Sequence, residues 1–501
     1  MKKDGISAVE LFKALSELLK SYVLCLLLFL VAGAGLPTAM AQSSDTLLQI
    51  IEQSRASDAI WSIQVRDLDG NLLEDLNGNY IMRPASNFKL ISSAAFLHYL
   101  GPDYRFKTRL YGNGMQRNDT WEGDLIVIGS GDPTIDGTFY SGNAMYVFER
   151  WAEALQEKGI KKISGNLLGL DGYFDDVPYP KGWEWDDLTY YYAPEINALS
   201  FNRNVVDLEV RATGRPGTLP EIRWFPYNTS FVEFINEQQT SPPGTSFKES
   251  YRRILGTNTI LLRSTLPQGY YETEPLTITA PSSYFLDTFR KHLSTMGIEV
   301  QGHVSVNSEM YGVPDDQLFL IHEHVSVPLS EIIKEINRES NNFYSEMLLK
   351  AMAAETFSTQ GTTELGLEKL LDYMEYMKFD TSSISIRDAS GMAPATLVKT
   401  SDLNQFLVGL SREKYFPYLF ESLAVSGHNG TLGHRFRSSP VNGKFSGKTG
   451  FVSGVRALSG YLNTADSRQL AVTILTNNYT IPTSNVDLTH QKILEYLYQS
   501  Y

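Results

Sequence analysis

The sequence is nearly without cysteine: Cys25 is the only one in 501 residues. Neither a disulfide framework nor a cysteine zinc site can be built from it. Positive charge is also in deficit. Lys and Arg number 43 against 57 Asp and Glu, the formal net charge is −14, and no long basic run occurs. A phosphate backbone needs the opposite balance, so nucleic acid is excluded as a partner. The eight histidines include no H-E-x-x-H pair. His322-Glu323-His324 lies in an alternating apolar stretch and is expected to be surface side chains, so no metal or other cofactor is expected. No internal repeat is evident. Hydrophobic residues make up 42% and charged residues 20%, close to the globular average. Those values exclude a disordered tail, a collagen-like chain and a multi-span membrane protein.

What is present begins with an apolar run, Tyr22 to Ala32, preceded by Lys2, Lys3, Lys13 and Lys20 and followed by Ala39-Met40-Ala41. That arrangement is expected to be a secretory leader cleaved after Ala41. A retained signal anchor is the other reading of the same run. The length suits two to four domains.

A short helix is expected over 45–57. Trp61, Ile63 and Val65 alternate before Asp69-Gly70, which predicts a hairpin. After Pro84 a helix is expected to open near Ser86. Between about 109 and 317 Gly, Pro, Tyr and Trp recur among short strand signals, as an inserted β-rich unit would show. Helical spacing returns at Leu329, Ile332, Ile333 and Ile336. A polar break, Arg338 to Asn342, precedes a second helix. Strands are expected over 455–463 and 469–477, then a last helix over 486–498 docked on the sheet.

Three short motifs occur in order: Ser86-Asn-Phe-Lys89, Ser340-Asn-Asn342 and Lys448-Thr-Gly450. Each alone is weak. Ser411-Arg-Glu-Lys414 repeats the first pattern, and four further S-x-N matches occur, at Ser141, Ser164, Ser200 and Ser305. Context separates them. Ser86 opens an apolar helix, Ser340 sits in a polar break where side chains can face a cleft, and Lys448 approaches a strand through glycines that let a ligand near the backbone. A serine hydroxyl needs an adjacent base. A lysine three residues on, in the first helical turn, shares its face. Burial, with Lys448 as a second cation, would keep Lys89 partly neutral.

This ordered set resembles that of serine D-alanyl-D-alanine peptidases of the penicillin-binding type. The wide gap between Ser86 and Ser340 narrows the resemblance to the class C, low-molecular-mass D-alanyl-D-alanine carboxypeptidase/endopeptidase group. Further similarities are Gly131-Asp-Pro-Thr134, Gly182-Trp-Glu-Trp-Asp186, Tyr192-Ala-Pro194, Leu199-Ser-Phe-Asn-Arg-Asn204 and Asp388-Ala-Ser-Gly391.

The resemblance implies an α+β fold: a penicillin-binding/β-lactamase-like transpeptidase domain, an antiparallel sheet flanked by helices, with β-rich inserted domains. The expected division is a leader at 1–41, a discontinuous catalytic domain at 42–108 and 318–501, an inserted domain at 109–212 and 276–317, and a smaller nested domain at 213–275. It also implies an exported, periplasmic enzyme acting on peptidoglycan peptides, with β-lactam antibiotics as covalent inhibitors.

By the same resemblance Ser86 is the acylated nucleophile, Lys89 its base, Ser340 a proton shuttle and Asn342 the holder of the substrate amide. Lys448 and Thr449 bind the terminal carboxylate, with Gly450 and Phe451 beside them; the N–H groups of Ser86 and Phe451 form the oxyanion hole. Trp183 and Asp186 position the donor side chain, or are ordinary packing and surface charge. The arginine that often follows the D-x-S-G segment is replaced here by Met392-Ala393-Pro394. Asn341 stands where β-lactamases commonly have aspartate, which favours a peptidase. The other readings are a non-catalytic peptidoglycan-binding relative, against which the intact reactive set including Lys89 argues, and a serine β-lactamase; the motifs leave carboxypeptidase and endopeptidase both open.

Overall fold

The structure is a computed structural model that describes residues 38–308 and 318–501. The expected leader, with Cys25, lies almost wholly outside the described residues. Among the described residues no helix is long and apolar enough to cross a membrane.

The central sheet has six strands in the order Leu72–Leu76, Ile60–Asp67, Gln469–Asn477, Val455–Asn463, Phe445–Val452, Ala424–Val425. Every neighbouring pair is antiparallel. The first hairpin and the strands 455–463 and 469–477 are where sequence alternation puts them. Despite the alternation in Ile60–Asp67, both faces of the strand are covered: Ser62 and Gln64 are as buried as Trp61, Ile63 and Val65. The reason is a second cover. Trp61, Ile63 and Val65 pack against Leu47, Ile51, Val486, Ile493, Leu494 and Leu497 of the two terminal helices, Thr38–Glu52 and Thr483–Ser500. Helices Lys89–Leu100, Leu329–Arg338, Asn342–Phe357 and Thr400–Leu410 build the core on the opposite side, with Tyr461 and Ala471 supplied by the sheet. The domain is thus three layers around two apolar interfaces. The C-terminal helix docks on the sheet as expected. The first helix starts earlier than 45 and ends at Glu52.

The inserted region has its own apolar core. A seven-stranded sheet runs Glu299–Val300, Lys162–Ile163, Thr120–Ile128, Lys107–Arg117, Phe319–Val325, with Leu167–Leu170 and Val304–Asn307 joined to it. Helices Tyr146–Glu157 and Pro281–Thr295 cover it through Phe148, Trp151, Phe285 and Phe289. Short three-stranded sheets follow between Val205 and Thr277. Phe319–Val325 pairs with Lys107–Arg117, so this sheet takes in residues on the far side of the boundary expected at 318. That pairing also corrects the surface reading of His324. It is only 6% exposed, 3.1 Å from the Tyr140 hydroxyl and 3.5 Å from the Asp132 carboxylate, because the 131–140 loop closes over the strand.

Two glycines seat the Ser86 turn. A Cβ on Gly450 would lie 2.8 Å from the Pro84 carbonyl oxygen. Gly391 has φ +73°, and a Cβ there would fall 2.1 Å from the Ala85 carbonyl oxygen. Both segments therefore press directly on the residues flanking Ser86. Gly391→Ala adds a left-handed side chain to that clash and is expected to lower unfolding free energy by about 2 kcal/mol or more. Urea denaturation checks this; an unchanged midpoint would mean the contact yields freely.

Candidate active site

Ser86 lies in a single 3-10 turn, Ala85–Phe88, that leads directly into the helix Lys89–Leu100. The helix thus opens three residues after the expected start. The turn still brings residues i and i+3 to one side, because three residues complete one 3-10 turn. Lys89 is wholly buried. Its Nζ donates to Ser86 Oγ at 2.9 Å, Asn342 Oδ1 at 2.6 Å and the Ser390 carbonyl oxygen at 2.8 Å. An ammonium has three protons, and all three have an acceptor. Burial pulls this amine down to about 7, against the opposing pull of the Asp388 and Glu346 charges.

Ser340 stands between the helices Leu329–Arg338 and Asn342–Phe357 in a left-handed conformation, φ +65°. Asn341 caps the second helix by accepting the Tyr344 N–H at 3.1 Å. That cap lets the chain turn sharply and projects both neighbours of Asn341 into the cleft. Ser340 Oγ accepts from Lys448 Nζ at 2.8 Å. Lys448 lies inside the strand Phe445–Val452, not before it as expected. It is fully buried, and burial, with the Lys89 and Arg456 cations, holds its amine well below the ordinary lysine range. Two buried amines and an arginine make this end of the cleft favourable to an anion. Thr449 is buried and shares a 2.7 Å hydrogen bond with Thr431. Gly450 touches the Ser86 turn, and Phe451 is 55% exposed at the rim.

Ser86, Lys89, Ser340, Asn342, Lys448 and Thr449 therefore form one connected cluster, drawn from three distant stretches. Trp183 joins it indirectly: its Nε1 donates to Asp388 Oδ2 at 3.1 Å. Asp186 is exposed, and no contact ties it to the cluster. Among the described residues no group of His, Cys, Asp or Glu is arranged to hold a metal ion.

The chain matches the D-Ala-D-Ala carboxypeptidase 3 (S13) family over residues 43–495. It belongs to that family. Its reaction class is accordingly serine-type D-Ala-D-Ala hydrolysis. Among similar proteins, a D-alanyl-D-alanine carboxypeptidase of Actinomadura sp. (strain R39) is 28% identical over 450 residues, covering 86% of this chain and 80% of the relative. The D-alanyl-D-alanine carboxypeptidase DacB of Haemophilus influenzae is 24% identical over 415 residues, or 81% and 83% of the two chains. Penicillin binding protein 4 from Haemophilus influenzae superposes with a TM-score of 0.79 at 22% identity, covering 91% of this chain and 99% of that one. The fold is the penicillin-binding one that the motifs imply.

Sequence reasoning gave no role to Glu346, Thr431 or Tyr192, and quoted Asp388 only as part of a motif. Glu346 is an isolated acid in a helix; only its burial marks it out, although its spacing of four from Asn342 puts both on one face. Tyr192 carries no chemical signal in the sequence, because it acts through its backbone: its carbonyl accepts Asn342 Nδ2 at 2.9 Å.

The Lys89 amine is expected to lose its proton near pH 7, far below solvent-exposed lysines. The ¹⁵N shift of its Nζ, followed from pH 5 to 9, checks this; a transition above pH 9 would contradict it.

Proposed function

We propose that this peptidase acts through a Ser86 acyl-enzyme on the D-Ala-D-Ala ends and cross-links of peptidoglycan stem peptides. The observation that carries the reading is the 2.9 Å contact between a serine hydroxyl and a buried amine pulled down to about 7. At neutral pH a large share of that amine is uncharged and can accept a proton, as a base tuned to its working pH should.

In the proposed sequence Ser86 Oγ attacks the carbonyl carbon of the penultimate D-Ala while its proton passes to Lys89 Nζ. The oxyanion is held by the N–H groups of Ser86 and Phe451, donors fixed before the charge appears. Ser340, hydrogen-bonded to Lys448, delivers a proton to the departing nitrogen. The C–N bond breaks, D-alanine or the cross-linked partner leaves, and water then hydrolyses the ester by the reverse proton path. Lys448 and Thr449 bind the terminal carboxylate, for which a desolvated amine, charged once the anion is beside it, and a hydroxyl are suited. Asn342 sets the substrate amide and steadies Lys89.

The covalent chemistry extends to β-lactams, whose strained amide would acylate Ser86 in the same way. A solved structure of the Haemophilus penicillin binding protein 4 is described as complexed with a novel β-lactam, which supports the extension. We further take the chain to be exported after removal of residues 1–41. The strand pairing supports an insertion running from about 107 to about 326.

Incubation with penicillin is expected to add one drug mass per chain, on the peptide containing Ser86, and none to Ser86→Ala. An unmodified wild-type chain, or equal labelling of the variant, would overturn the acyl-enzyme. Muropeptides incubated with the enzyme should release free D-alanine, and dimers should give monomers. Mass spectrometry of the products separates the two activities, and absence of both would refute the substrate class.

A further inference from the structure

The inserted region does more than flank the cleft. Its segment 183–192 reaches the buried side of Lys89 by two hydrogen bonds. The Tyr192 carbonyl accepts Asn342 Nδ2, and Asn342 Oδ1 in turn accepts Lys89 Nζ. The Trp183 indole N–H donates to Asp388 Oδ2.

Asp388 is the hub of a short loop. Its carboxylate also accepts the Met392 and Ala393 N–H groups at 2.7 and 2.9 Å and the Ser390 and Thr396 hydroxyls at 2.9 and 2.7 Å. Glu346 holds the other end of the loop by accepting the Ala389 and Ser390 N–H groups at 3.0 and 2.8 Å. Between these anchors the Ser390 carbonyl points at Lys89 Nζ. Two buried carboxylates therefore fix one of the amine's three acceptors and set the field around it. Across the cleft Lys89 also faces Lys448, which in turn feels Arg456 and Glu339. Buried charge networks of this kind persist when each member is satisfied.

We propose that segment 183–192 is a working part of the proton-accepting site: Trp183, acting through Asp388, and Glu346 are positioning residues for Lys89. This rests on Lys89 being the base. The insertion thereby completes the chemistry, and the indole N–H is committed to Asp388 rather than to substrate. The two residues oppose each other in sign. Burial and the neighbouring Asp388 charge push the Glu346 carboxyl up to about 8, and its ionised fraction favours the ammonium form of Lys89. Trp183 turns a positive dipole end toward Asp388 and dampens its pull on the amine.

The test is the pH profile of the second-order rate of acylation by a fluorescent penicillin, between pH 5 and 9, for wild type, Glu346→Gln and Trp183→Phe. Wild type should show a limb near pH 7. Glu346→Gln should move that limb to lower pH, because removing a partly ionised carboxyl favours the neutral amine. Trp183→Phe should move it upward, with rates lost at pH 6–7 and recovered above pH 8. If both variants lower the rate by one factor at every pH, the residues are structural and the proposal fails. If Trp183→Phe only raises KM for a D-Ala-D-Ala peptide while the limb stays put, it is a substrate contact and the proposal also fails. Trp183→Phe keeps the ring in place and decides alone should Glu346→Gln not fold. A wild-type profile with no limb would refute Lys89 as base and this proposal with it; a wild-type limb that the variants leave unmoved refutes this proposal alone.

Discussion

A primary amine sealed from water beside a serine hydroxyl is the constraint on which the rest of the architecture turns. A buried ammonium is costly unless every proton finds an acceptor, and a buried neutral amine is available only if opposing charges do not overwhelm it. Lys89 sits between those limits. Its three acceptors come from its own turn, from the helix start at Asn342 and from the loop at Ser390. Its proton affinity reflects burial working against two carboxylates.

Meeting that constraint requires elements from the whole chain. The strand Phe445–Val452 presses Gly450 against the turn before Ser86, and Gly391 presses from the loop. Asn87 Nδ2 donates to Ser459 Oγ at 2.6 Å, tying the same turn to the next strand. Ser92 Oγ donates to the Ala389 carbonyl at 2.9 Å, tying the helix to the loop. Such cross-links hold catalytic groups within the narrow tolerance that proton transfer needs. The second buried amine, Lys448, faces the cleft from the opposite side through Ser340. One amine thus lies against acids and the other near cations, a division that suits one to move protons and the other to bind an anion.

Much of this was legible in the residues. The Ser86–Lys89 pair is local, and one helical turn decides its geometry whatever the rest of the chain does. The strands 455–463 and 469–477 and the helices after Pro328 follow from spacing alone. Ser340-Asn-Asn342 was separable from its four look-alikes because it falls between two apolar helices. What escaped notice depends on long-range packing. Glu346 and Asp388 resemble any solvated acids until burial is known. Nothing local says that both faces of Ile60–Asp67 are covered, since the covering helices lie at the two ends of the chain. His324 alternates like a wet strand residue, and only the 131–140 loop makes it dry.

The most direct test of the central claim removes the amine and keeps the bulk. Lys89→Met should fold and still bind penicillin non-covalently. Its acylation rate should fall by about 10²–10⁴, the range a positioned base contributes, and the dependence on pH near 7 should vanish. A Lys89→Met enzyme that acylates at the wild-type rate, with the same pH limb, would show that another group takes the serine proton.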